Sequence, residues 1–146
     1  MSNLIKMQFN LTRNNLYKDI ENLSENTFTV QPEGYNNTIH WQIGHILTAA
    51  EQFLFGGAGL PESYGELFGY GSKPANWKGE VPSVETLVEQ LKDQFNRIKE
   101  IPEDKFQEPL PEPVLGSQTY GELAALTAYH ESMHCGQIHA MKLFLQ

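Results

Sequence analysis

Apolar side chains recur at helical spacing in four segments of the chain, and these segments predict four long helices. The first runs from Ile5 to Leu23, with charged residues between its apolar positions. The second, Ile39 to Leu54, carries no charge before Glu51, and Asn37 stands where a helix cap is expected. Because this second helix is apolar on two sides, it is predicted to pack against two neighbours.

The third and fourth segments have clear boundaries. The third begins at Ser83 and ends before Pro102. The fourth begins at Thr119, where Glu122 completes a capping box, and continues to the C-terminus. Its predicted inner face consists of Leu123, Leu126, Thr127, His130, Met133, His134, Gln137 and Met141. No segment predicts a strand, so the predicted fold class is all-α.

Two long connections follow the second and third helices. Residues 56–82 hold seven glycines and three prolines among several aromatic residues, which predicts an irregular but packed segment. A connection of this length is either a cover over the end of the fold or a lid over a substrate. Residues 103–118 are rich in proline and predict an extended segment. Four helices with two long connections predict a four-helix bundle in which some neighbours are parallel.

Composition narrows the class of protein. The length of 146 residues and the hydrophobic content of 40% fit one domain over residues 1–146. A net charge of −8 with scattered basic residues argues against nucleic acid and anionic membrane as partners. No apolar run approaches the ~18 residues of a membrane span. Cys135 is the only cysteine, which is compatible with a reducing cytoplasm, so a soluble cytoplasmic protein is expected.

Two histidines interrupt the inner face of the last helix. His130 and His134 are four residues apart and therefore lie on one side of an α-helix, where they can grip a divalent metal ion. Hydrogen bonds to carboxylates or hydroxyls are the alternative way to satisfy the two imidazoles. A catalytic metal usually takes three protein ligands. Upstream, only His40 and His45 can supply the third, and periodicity does not choose between them.

The same residues spell the HExxH pattern of zinc peptidases, in which Glu131 would be the general base. The extended form of that pattern needs a glycine and a third histidine further along, and Gly136 and His139 each fall one residue short. No acidic residue follows His134 to act as a ligand. His139 lies about 140° around the helix from His134, which indicates a surface or packing role. A peptidase is therefore disfavoured.

The segment Trp41-Gln42-Ile43-Gly44-His45-Ile46-Leu47, together with His130-x-x-x-His134-x-Gly136-Gln137-Ile138, resembles the DinB-like (DinB/YfiT) family of metal-dependent enzymes. The resemblance covers essentially the whole chain in length, helix order and motif position. It implies an up-down-down-up four-helix bundle, often dimeric, in which His45, His130 and His134 bind a divalent metal. Zinc and nickel are the ions it implies, and imidazole ligands suit both.

Further residues near these motifs have two interpretations each. Glu131 is either a catalytic base or partner of a ligand, or a solvent-facing helix residue. Trp41 and Gln137 are candidates for substrate binding, with core packing of Trp41 and a backbone hydrogen bond of Gln137 as the alternatives. Cys135 is expected to pack as a small buried thiol.

These observations give one leading hypothesis and two alternatives. The leading hypothesis is a homodimeric metal-dependent enzyme that acts on a small molecule, either a hydrolase or a transferase. Some relatives resemble thiol S-transferases, so a low-molecular-weight thiol is the implied co-substrate. The first alternative is a non-catalytic helical bundle with structural or incidental metal binding. The second is the disfavoured HExxH peptidase.

Overall fold

The computed structural model describes residues 1–146, and the chain is mostly helical. The helices are α1 (Ser2–Ile20), α2 (Glu25–Phe28), α3 (Ile39–Phe55), α4 (Ser63–Phe68), α5 (Val84–Lys99) and α6 (Tyr120–Leu145). Short 3-10 turns span Pro74–Asn76 and Glu103–Gln107, and a small hairpin pairs β1 (Pro109–Val114) with β2 (Ser117–Thr119). None of the helices combines the length and the apolar character that crossing a lipid bilayer requires.

The four predicted long helices correspond to α1, α3, α5 and α6. The predicted starts of the last two are confirmed: Ser83 caps α5 by accepting the Thr86 N–H, and Thr119 and Glu122 form the predicted capping box. The predicted cap of α3 is wrong by one residue. Thr38 has the extended backbone of a cap and its hydroxyl accepts the Trp41 N–H, whereas the Asn37 side chain accepts from Gln42.

The prediction of no strand is also wrong, because β1 and β2 form an antiparallel ladder. β1 has proline at positions 109, 111 and 113, and the register shifts between the pairs Pro109–Thr119 and Val114–Ser117, so the ladder is irregular. Proline is tolerated in such an edge strand. The turn uses Leu115 and Gly116, both with positive φ. The hairpin leads directly into α6, whose first residue donates its backbone N–H to Glu108.

α6 lies against both α1 and α3, and α3 also lies against α5, so the prediction that the second long helix has two neighbours is confirmed. Contacts between α1 and α6 pair Thr12 with Ser132 and Asp19 with His139. Because the residue numbers on α1 and on α6 increase together from one contact to the next, these two helices run in the same direction. The contacts between α3 and α6 position the candidate site.

The buried face of α6 differs from the predicted one. Met133 is 43% exposed, whereas Ala128, Glu131, Cys135 and Ile138 are buried. The difference arises because α6 is covered on two sides, so its buried arc is wider than a single apolar stripe and extends toward α1.

Candidate metal centre

Three imidazoles from two helices meet at one point. His130 and His134 extend from the same side of α6, and His45 reaches them from α3. The Nε2 atom of His130 lies 3.2 Å from Nε2 of His45 and 3.1 Å from Nε2 of His134. One ligand nitrogen from each residue lies within 4.8 Å of the others. The structure therefore brings together the three residues that the family resemblance implies as ligands.

The cluster lies at the edge of the buried interior. His45 and His134 are 6% and 9% exposed, and His130 is half-buried. On its inner side the indole of Trp41 stacks on the His45 ring, with centroids 4.6 Å apart and the planes 10° from parallel. Of the three rings, His130 is therefore the one that solvent reaches, while His45 and His134 are buried by their neighbours.

A backbone carbonyl fixes the tautomer of His45. Its Nδ1 lies 2.7 Å from the carbonyl oxygen of Phe68, which can only accept a hydrogen bond. Nδ1 therefore carries the proton, and the Nε2 lone pair is free to face the cluster. A hydrogen-bonded second nitrogen of this kind is the usual support of a metal-ligating histidine.

A side-chain amide does the same for His134. Its Nδ1 lies 2.5 Å from Oε1 of Gln42. Gln42 Nε2 donates to Asn37 Oδ1 at 3.1 Å and to Gln137 Oε1 at 2.7 Å, which leaves Oε1 as the atom that faces His134. Gln42 therefore presents an acceptor to His134, whose proton lies on Nδ1 and whose Nε2 lone pair also faces the cluster.

Hydrogen bonds among the rings cannot satisfy this arrangement. His45 and His134 each direct a lone pair at Nε2 of His130, which holds at most one proton, and one N–H cannot align with two acceptors. At least one buried acceptor stays without a donor. Two nitrogens that each lie about 2.0–2.1 Å from one divalent ion are about 3 Å apart at angles near 100°. The separations of His45 and His134 from the Nε2 atom of His130 are therefore compatible with a shared cation.

The cluster is held in its neutral, ligand-competent form. Burial lowers the pKa of His130 to about 4, with the neighbouring His45 adding to the effect. Burial lowers the pKa of His134 to about 3, and both other histidines lower it further. The pKa of His45 is also lowered by burial, against a smaller opposing effect of its bond to Phe68. Neutral imidazole is the form that binds a metal ion.

The other two histidines lie elsewhere. His40, the alternative third ligand from the sequence, has its Nε2 2.8 Å from the carbonyl oxygen of Pro82 and packs edge-on against Trp77. His139 is exposed and pairs with Asp19 at 2.9 Å, so its predicted surface role is confirmed. Only His45 of the two upstream histidines reaches the pair on α6.

Glu131 is not brought to the histidine cluster. Its side chain is 1% exposed, so the solvent-facing interpretation is wrong. Both carboxylate oxygens are engaged by Arg13, at 3.1 Å from Nε and 2.9 Å from Nη2. The carboxylate of the HExxH pattern is thus already paired on the side of α6 that faces α1. A role as a base stays a prediction that this pairing does not favour.

The remaining candidates lie next to the cluster. Trp41 is 6% exposed and belongs to the core, with its indole N–H donating to Ser72. Gln137 is half-buried and binds Gln42. Cys135 is a free thiol in the same core, and burial raises its pKa. Substrate binding by Trp41 and Gln137 stays a prediction.

Sequence reasoning missed two contributors, Gln42 and Phe68. Gln42 is fully buried, although its polar side chain on a largely apolar helix, four residues before Ile46, is a detectable signal. Phe68 acts through its backbone carbonyl, which no sequence pattern reports. The long connection therefore supplies part of the site's framework.

The sequence profile of the DinB superfamily matches residues 8–138, which includes all three histidines and nearly the whole chain. The chain therefore belongs to the DinB superfamily. No curated protein matches it.

Proposed function

We propose that this protein binds a divalent metal ion through His45, His130 and His134 and uses it to act on a small molecule. The convergence of three imidazole nitrogens, two of them with their tautomers fixed outward, carries the proposal. Zinc or nickel is the proposed ion, because both suit an all-imidazole donor set. When bound, such an ion supplies Lewis-acid chemistry that lowers the pKa of a coordinated water or thiol.

The chain's own residues would hold the site and leave one side open. Phe68 and Gln42 keep protons off the ligating nitrogens of His45 and His134, so the ligands need no rearrangement. Trp41 keeps water from the buried side of His45 by stacking on it. Three protein ligands leave coordination positions for a reactant, as in catalytic rather than structural sites.

The proposed reaction class is transfer or hydrolysis, with a low-molecular-weight thiol as the candidate co-substrate of a transferase. An up-down-down-up arrangement of the four long helices, a homodimeric state and a cytoplasmic location belong to the same proposal. The single cysteine, buried as a free thiol, supports the last of these. The paired state of Glu131 speaks against peptidase chemistry.

Metal analysis of protein purified without a histidine tag tests the proposal. We expect one zinc or nickel ion per chain, and a loss of tight binding in each of the variants His45→Ala, His130→Ala and His134→Ala. His139→Ala is the matched control, because that histidine lies on the same helix outside the cluster and should leave metal content unchanged. Binding that survives all three ligand variants would overturn the proposed site.

Catalysis needs a separate measurement. The metal-loaded protein would be mixed with an electrophilic small molecule and a panel of low-molecular-weight thiols, and thioether formation followed by mass spectrometry. Thiol-dependent turnover that disappears in His134→Ala supports a transferase. Stoichiometric metal without turnover of any electrophile or ester would favour the non-catalytic alternative.

A further inference from the structure

Backbone carbonyls at the C-terminal end of α4 bind two side chains, His45 and Ser72. The last carbonyls of a helix have no partner within the helix, so they are available to other donors. The carbonyl oxygen of Phe68 lies 2.7 Å from Nδ1 of His45. The carbonyl oxygens of Leu67 and Gly69 lie 3.1 and 2.7 Å from the hydroxyl of Ser72. The end of this short helix therefore anchors a proposed metal ligand together with a serine from the same long connection.

The hydroxyl of Ser72 accepts a hydrogen bond from Trp41. Carbonyl oxygens can only accept, so the single hydroxyl hydrogen of Ser72 points at Leu67 or Gly69. Its lone pairs then face the indole Nε1 of Trp41, which can only donate and lies 2.9 Å away. The bond therefore has one direction, and it ties the indole of Trp41 through Ser72 to the end of α4.

The same indole lies flat on the ring of His45. Trp41 and His45 are four residues apart on α3, and their rings stack with centroids 4.6 Å apart and planes 10° from parallel. The His45 ring is thus held at two places, at Nδ1 by the Phe68 carbonyl and across its face by the indole. A hydrogen bond at Nδ1 alone lets the ring tilt about that atom, whereas the stack fixes its plane. The plane decides where the Nε2 lone pair points.

Trp41 keeps this position because its indole N–H has an acceptor. The side chain is 6% exposed, so little water is available to replace a missing partner. A buried donor without an acceptor costs free energy, and the indole lowers that cost by turning toward another acceptor. Turning takes it off the His45 ring. The hydroxyl of Ser72 therefore controls a contact that it does not itself make.

We infer that Ser72 is a positioning residue of the metal centre: its hydroxyl holds Trp41 flat on His45 and so fixes the direction of the His45 Nε2 lone pair. The inference rests on the metal binding proposed above, and it makes the connection of residues 56–82 a determinant of metal affinity. The alternative is that Ser72 only packs this connection against α3. Its removal would then lower stability and leave the metal site unchanged.

Titration of the full-length protein with Co²⁺ tests the inference, because the visible absorption bands of this ion report the coordination geometry and competition with a chelator gives the affinity. We expect Ser72→Ala to weaken Co²⁺ binding by ~10-fold and to change the band positions. Ser72→Thr keeps a hydroxyl and should restore both values. Thr119→Ala is the matched control, because it loses the cap of α6 and some stability away from the cluster, and it should bind Co²⁺ as the wild type does.

A second variant tests whether Ser72 acts through Trp41. Trp41→Phe keeps an aromatic ring but has no N–H for the hydroxyl to accept, so it should change the same Co²⁺ bands even if Ser72→Ala does not fold. In the Trp41→Phe background, Ser72→Ala should cause no further loss of affinity, because the contact that it supports is already gone. A loss of equal size in both backgrounds would overturn the inference.

The outcomes separate this inference from the proposed metal site. Wild-type protein that binds Co²⁺, with the same affinity and bands in Ser72→Ala and Trp41→Phe, overturns the positioning by Ser72 and leaves the three-histidine site. Wild-type protein that binds none of Co²⁺, Zn²⁺ and Ni²⁺ overturns both. A lower affinity in Thr119→Ala that equals the loss in Ser72→Ala would trace both losses to stability and overturn the inference alone.

Discussion

Two buried polar clusters lie on different sides of α6, and neighbouring residues of the sequence serve them. His130 belongs to the histidine cluster toward α3, while Glu131 pairs with Arg13 toward α1. The Arg13 cluster is complete: its guanidinium donates to Glu131, to the Leu91 carbonyl and to Gln94. Gln94 in turn donates to Glu51, which pairs with Arg97, so two acids balance two bases.

The histidine cluster, by contrast, lacks hydrogen-bond donors for all of its acceptors. Its members are neutral, and its converging lone pairs outnumber the protons available to them. A buried polar group without a partner costs free energy, so a folded chain that retains such a set has a use for it. Satisfied polar groups stabilise a specific packing, whereas converging acceptors that lack donors are suited to binding a cation. The contrast supports a structural role for the Arg13 cluster and the proposed metal binding at the histidines.

The largest expected effect comes from breaking the complete cluster. Glu131→Ala leaves Arg13 buried without its counter-charge and should lower the free energy of unfolding by about 3–5 kcal/mol. Urea denaturation measures the difference. The double variant Arg13→Met, Glu131→Leu should recover most of that loss, whereas His130→Gln in metal-free protein should cost about 1 kcal/mol or less. Equal costs for Glu131→Ala and His130→Gln would erase the distinction between the clusters.

Metal should stabilise the protein through the incomplete cluster alone. At free zinc or nickel about 100 times the dissociation constant, the free energy of unfolding should rise by about 2.7 kcal/mol, because the ion binds the folded chain preferentially. Thermal unfolding with and without a chelator measures this. His134→Ala should remove the metal-dependent gain, and His139→Ala should retain it. A gain that persists in His134→Ala would contradict the assignment of the site.

The amide that orients His134 should matter less than the ligands themselves. Gln42→Leu removes the acceptor for Nδ1 and should weaken metal binding about 10–100-fold. Gln42→Glu, which keeps an acceptor in place, should retain or tighten binding. Competition with a chromophoric chelator gives both values, and Gln52→Leu, an exposed position on the same helix, serves as the control. An unchanged affinity in Gln42→Leu would show that the hydrogen bond has no part in metal binding.

The smallest effect is a pH dependence of the metal-free protein. The folded-state pKa values of His130 and His134, about 4 and about 3, lie below the unfolded value of 6.5. The unfolded chain therefore binds more protons between these limits, and the stability present above pH 6.5 is lost as the pH falls toward 4. At pH 5.5 each histidine should have lowered the free energy of unfolding by about 1.4 kcal/mol relative to neutral pH. Urea midpoints should fall less steeply with acid in His130→Gln, and parallel curves would refute this.

The elements of the fold that local periodicity and capping control were predictable. Ser83, Thr119 and Glu122 identify two helix starts, and the spacing of His130 and His134 places both rings on one side of α6. The third ligand was not predictable from periodicity, because His40 and His45 both lie off the main apolar stripe, and only the family resemblance selected His45. Which of these two histidines reaches the pair on α6 depends on how α3 is rotated against α6, and that rotation is a property of the tertiary structure.

Other features depend on contacts between residues far apart in the chain. Glu131 was interpreted as either a base or a solvent-facing residue because its partner, Arg13, lies 118 positions away. The proline residues of β1 predict an extended connection, but the pairing of β1 with β2 is irregular in register and is not reported by the sequence. Met133 fits the apolar stripe by spacing and yet is exposed, since the buried arc of α6 extends toward α1 instead.

Phe68, within the long connection of residues 56–82, contacts the histidine cluster through its backbone carbonyl. Its ring lies flat against α3 at Gly44, where a methyl group would overlap it, and its carbonyl holds the neighbouring His45. Gly44 therefore helps to fix the proton on His45 Nδ1. A side chain at position 44 would push Phe68 away from α3, and the His45 ring would lose the hydrogen bond that holds it.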